Sequence, residues 1–175
     1  VTLITKYIGG TGDGPIEFYA FRLIETKGFW DKTVTSSPYT RNLFPTYSMS
    51  SVTVLPIVFS TITGSDGSLI FRLLYPFVVA FLALGSYKLF QTQTEDKAAF
   101  LAAFFFFTIS FGKGFGSYKQ QIAQLFYILL FLLLFKKDIS PSKKSVLFIV
   151  FSASLVISHY GLTYIFLLII LLAFL

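Results

Sequence analysis

Cysteine is absent from this 175-residue chain, and histidine and tryptophan occur once each. No disulfide framework, thiolate metal site or thiol nucleophile can therefore be built, and the redox compartment leaves no trace in the sequence. Charge is also scarce: Asp, Glu, Lys and Arg make up 13% of the chain, against about 25% in a soluble domain. Missing too are a glycine-rich phosphate loop after a strand, an HxxxH pair, an acidic calcium-loop spacing and any internal repeat. These absences exclude most soluble enzyme classes that announce themselves by motif.

What is present is apolar. Hydrophobic residues make up 55% and aromatic residues 19%, and the mean hydropathy is +0.76. From residue 73 onward, five runs (73–87, 98–112, 120–135, 145–158 and 160–175) contain no Asp, Glu, Lys, Arg or His, and every such side chain falls between them. Each run is about 14 to 16 residues long, short of the roughly 20 needed to cross a 30 Å hydrocarbon layer. Each must therefore extend into flanking aromatic, Ser or snorkelling Lys residues. The predicted fold is all-α, a polytopic transmembrane helical bundle in the cell membrane. Residues 1–67 are expected to form an extracytoplasmic first loop with interfacial amphipathic helices, and residues 68–175 the membrane helices. A chain that starts at Val1 and stops inside LLIILLAFL reads as a piece of a longer membrane domain.

The net charge is +6. Lys88 and Lys97 flank QTQTED, and Lys136, Lys137, Lys143 and Lys144 lie in KKDISPSKK, which by the positive-inside rule puts both connectors in the cytoplasm. Alternation then places residues 1–67, the 112–117 loop and the 159–162 turn on the outer face. Nucleic-acid binding is not expected, because these lysines are split between connectors and lack aromatic interleaving.

The outer segment holds most of the polar information. GGTGDGP is a turn with Pro15 at a helix start, and Tyr19, Ala20, Leu23 and Ile24 recur at helical spacing until Gly28 closes the pattern. Glu17, Arg22 and Glu25 fall elsewhere on this helix, which suits a surface-lying segment. Phe29, Trp30 and Tyr39 suit a headgroup belt, and SMSSVTVLPIVFSTITG reads as a second interfacial helix interrupted by Pro56.

Asp13 and Glu17 stand four apart at the first helix start. They can cap that helix, where an acid gains about 0.3–1 kcal/mol from the dipole, or supply a general base or a Mg or Mn site. Lys119 and Lys113 flank a glycine-rich loop at the start of a helix, a place for a substrate phosphate or for simple snorkelling. Arg72 at an outer helix end and His159 in SHYGL have the same two readings, structural or phosphate-binding. All six map to one membrane face by a topology that did not use them.

The stretch GDGPIEFYAFRLIETKGFWDK, followed by SMSSVTVLPIVF and FRLLYPF, resembles the first extracytoplasmic loop and following helix of type-C, multispanning glycosyltransferases. The DxxxEFY run, YKQQIAQLFYILL and VISHYGLTYI are similar to an archaeal family of membrane proteins without assigned function, itself type-C-like. The resemblance implies sugar transfer from a polyprenyl-phosphate-linked donor at the outer face. It gives Asp13 or Glu17 the role of base or metal ligand, and Lys119, with His159, the leaving phosphate. Two features depart from that pattern: the carboxylates are four apart rather than adjacent, and Lys119 stands where an Arg is usual, so no bidentate fork is available. The alternatives are a transporter or flippase for lipid-linked solutes and a non-catalytic assembly subunit.

Overall fold

A computed structural model describes residues 13–31, 43–112, 117–173 and 175. The described residues form helices and no strands: α1 Asp13–Lys27, α2 Phe44–Tyr47, α3 Ser50–Thr53, α4 Leu55–Thr63, α5 Gly67–Gln91, α6 Asp96–Gly112, α7 Tyr118–Phe135, α8 Pro141–Ser158 and α9 Tyr160–Ala173. Three of them, α5, α7 and α8, are long and apolar enough to cross a membrane. At 1.5 Å per residue the 25 residues of α5 reach about 37 Å, while the 18 each of α7 and α8 reach about 27 Å. The flanking residues that the apolar runs had to recruit are therefore helical, Arg72 and Lys119 among them. As described, α6 has 17 residues and α9 has 14, both shorter than that length.

The chain divides into two compact units, Val1–Phe77 with Ser117–Lys119, and Val78–Gly116 with Gln120–Leu175. In the first, α1 packs against α2, α3 and α4. Its core joins Ala20, Ile24, Leu43 and Tyr47, with Leu23 and Ile57 at the edge. Burial of an aromatic side chain of this kind contributes about 1.5–3 kcal/mol. Beside that core runs an aromatic series: Phe18 meets Phe71 edge-on at 5.3 Å, Phe71 meets Tyr75 at 4.7 Å, and Tyr118 closes on Phe71 and Tyr75 at 4.9 and 4.6 Å. Trp30 stacks on Tyr47 at 5.7 Å, and its indole N–H donates to the Tyr47 carbonyl.

Helix α1 ends at Gly28, which takes φ 74° while its N–H closes on the Ile24 carbonyl, as the spacing predicts. Its buried face differs from the predicted one. Glu17, Ala20, Phe21 and Ile24 are buried together at i, i+3, i+4 and i+7, whereas Tyr19 is exposed. Hydrophobic spacing alone could not put a carboxylate on that face, because its partner lies a hundred residues away. The expected second helix through SMSSVTVLPIVFSTITG is present over 50–63 as α3 and α4, joined at Val54, whose dihedrals are helical and whose N–H and carbonyl bond Ser50 and Val58 across the joint, two residues before the buried Pro56.

In the second unit α8 packs on α9. One cluster joins Ala123, Leu130, Leu155 and Phe166, and another joins Leu82, Phe107 and Ile128.

Candidate functional site

Helix α7 begins at Tyr118, and its first backbone N–H groups have no acceptor within the helix. Glu17 meets one of them: its Oε2 accepts from the Tyr118 N–H at 2.6 Å. A negative charge there also opposes the positive end of the helix dipole. Glu17 thus serves the start of α7, a hundred residues away in sequence, in addition to standing in the second turn of its own helix.

Lys119, the next residue, turns back onto the same spot. Its Nζ lies 3.2 Å from Glu17 Oε1, donates to Asp13 Oδ2 at 3.1 Å and donates to Thr46 Oγ1 at 3.2 Å. The contact with Glu17 Oε1 is an ion pair. Exposure separates the three charges. The Glu17 and Lys119 side chains retain 0% and 5% of their surface, whereas Asp13 retains 56%. Burial pushes the Glu17 carboxyl above its ordinary 4.5, and the Lys119 ammonium and the Tyr118 N–H pull it part of the way back. Ser117 Oγ is buried without a hydrogen-bond partner, as is Glu17 Oε1. The wall beside this cluster is aromatic, with Tyr75 fully buried and donating to the Ser51 carbonyl at 2.8 Å.

Asp13, Glu17 and Lys119 therefore meet in the first unit. Arg72 belongs to the same unit, half-buried, with its Nε donating to the Ser68 carbonyl one turn back in α5. His159 belongs to the second unit, where its Nδ1 accepts from the Leu162 N–H at 3.2 Å and its ring stacks on Tyr160 at 5.4 Å. That hydrogen bond caps the start of α9. Lys113 lies outside the described residues. Thr46, Ser117 and Tyr118 were not foreseen as members of the cluster. Adjacency to Lys119 could have pointed to Ser117 and Tyr118, but nothing in the sequence points to Thr46.

The fit of a metal can be judged on this geometry. The Lys119 ammonium already occupies the position between the two carboxylates that a divalent cation would take, and among the described residues no group of three acidic or histidine ligands occurs. As placed, Mg or Mn could take that position between Asp13 and Glu17 only by displacing the Lys119 ammonium. Comparison with family models, with curated proteins and with solved structures gives no match to this chain.

Proposed function

We propose that the chain is part of an integral membrane glycosyltransferase of type-C character, which moves a sugar from a polyprenyl-phosphate donor onto an acceptor at the outer face. The observation that supports this reading most is the meeting of Asp13, Glu17 and Lys119 from segments more than 100 residues apart. In this reading Asp13 is the general base, because it alone of the three has a carboxylate open to a substrate. It takes the proton of the acceptor hydroxyl as that oxygen bonds to the anomeric carbon, and the bond from that carbon to the donor phosphate oxygen breaks. Lys119 holds the Asp13 carboxylate in place, and Glu17 holds Lys119. With its ammonium shared among Asp13, Glu17 and Thr46, Lys119 would have to release one of them before meeting the leaving phosphate.

One observation favours a second reading. Glu17 and Lys119 are both buried, which is how a structural clamp between α1 and the start of α7 would look in a non-catalytic assembly subunit.

The two part on Asp13. Membranes carrying the full-length chain are given a panel of polyprenyl-phosphate-linked hexoses, and glycosyl product is measured for the wild type and Asp13→Asn. A general base predicts a loss of about 10²- to 10⁴-fold, with thermal stability changed by less than about 1 kcal/mol because Asp13 is exposed. Transfer at the wild-type rate in Asp13→Asn removes the catalytic reading and leaves the clamp.

A further inference from the structure

The turn between α7 and α8, whose lysines orient the chain by the positive-inside rule, is strongly cationic. Lys136, Lys137, Lys143 and Lys144 face a single acid, Asp138, so the turn has a net charge of 4 − 1 = +3. The connector between α5 and α6 sets Lys88 and Lys97 against Glu95 and Asp96, a net charge of 2 − 2 = 0. Lys144 is spent on structure: its Nζ donates to the Leu134 and Lys136 carbonyls at 3.0 and 3.2 Å, closing the last turn of α7. Lys136, Lys137 and Lys143 are exposed, and none makes an ion pair among the described residues.

Beside Lys143 one face of α8 forms a shallow, open surface depression lined by Ser142, Lys143, Val146 and Leu147. Its lining is almost wholly apolar, with Val146 60% exposed. The turn joins two successive helices that are each long and apolar enough to cross a membrane, so it lies where headgroups meet acyl chains. Three exposed cations in one turn, next to an exposed aliphatic helix face, are complementary to one class of membrane component, a phospholipid of net negative charge, and less so to a zwitterionic one.

We infer that this turn is a binding site for an anionic phospholipid of the bilayer, with the headgroup on Lys136, Lys137 and Lys143 and an acyl chain along Val146 and Leu147. The inference rests on the membrane placement of α7 and α8 and is independent of glycosyl transfer.

Native mass spectrometry of the full-length protein in detergent, titrated with phosphatidylglycerol or phosphatidylcholine of the same chains, tests it. Phosphatidylglycerol should be retained at least about tenfold better. The preference should vanish in K136Q/K137Q/K143Q, persist in K88Q/K97Q and increase in D138N, which needs no lysine removed and stands as the test if the triple variant does not fold. Millimolar inorganic phosphate should not displace the lipid. Equal retention of the two lipids, an unchanged preference in the triple variant or in D138N, an equal loss in K88Q/K97Q, or displacement by phosphate each overturns the assignment.

Discussion

Replacing Lys119 by Met should cost more than any other single change at the cluster. Lys119 neutralises a carboxylate with no exposed surface, and the Met side chain fills similar space without the charge. Removing one partner of a buried pair typically costs about 3–5 kcal/mol, because the remaining charge keeps its desolvation penalty. Glu17 limits that loss by taking up a proton, which its burial already favours. Glu17→Gln should cost less, about 1–2 kcal/mol, since an amide oxygen can still accept from the Tyr118 N–H while Lys119 keeps Asp13 and Thr46. In the double variant no charge is stranded against Lys119 or Glu17, and replacing both members of a buried pair is often nearly neutral. The double variant should then be more stable than Lys119→Met alone, with a coupling energy of about 1–3 kcal/mol. Equilibrium unfolding of the full-length protein in mixed micelles, followed by circular dichroism, measures all four species. Additive losses within about 0.5 kcal/mol would show that Glu17 and Lys119 are not partners and would refute the geometry on which the site depends.

Two further outcomes follow from named contacts. Because the Glu17 carboxyl titrates above 4.5 in the folded protein, folding takes up a proton. The stabilising effect of that proton is full below 4.5 and is lost as pH rises through the raised value. The difference in stability between wild type and Glu17→Gln, measured by thermal unfolding from pH 4 upward, should therefore shift against the wild type as pH rises, and a difference that is flat with pH contradicts the burial. Gly67→Ala should destabilise by about 1–3 kcal/mol, because a methyl at Gly67 would overlap the Glu25 carboxylate and the ring edge of Phe21. Glu25 can swing aside, but Phe21 is fully buried against Phe18 and Phe71. A thermal midpoint unchanged by Gly67→Ala would show that α1 does not close on the start of α5.

The helical course of the chain was legible because charge is excluded from the apolar runs, and the cost of burying charge in hydrocarbon sets where polar connectors fall. Helix ends were less legible. Arg72 and Lys119 are charged, so run-based boundaries stop short of them, although both are helical. Pro56 marked the interruption of the second helix in advance, and the joint of α3 with α4 lies two residues before it. For the site, Asp13, Glu17 and Lys119 stood out by type and by common sidedness. Their roles did not, because a spacing of four suits a helix cap, a base or a metal ligand equally well. His159 shows the same limit: residue type allowed a structural or a phosphate-binding reading, and its Nδ1 accepts from a helix-start N–H.

Exposure assigns the roles that residue type leaves open. Two carboxylates one helical turn apart share one ammonium, yet one retains more than half of its side-chain surface and the other retains none. A fully buried carboxylate that accepts the Tyr118 N–H cannot also meet a substrate without moving away from the start of α7. Glu17 and Lys119 are thereby bound to each other and to the junction of α1 with α7. In the glycosyltransferase reading proposed above, the acceptor therefore meets Asp13, which Lys119 ties to that junction. A substitution at Glu17 would therefore reach a substrate only by displacing Lys119 and, through it, Asp13.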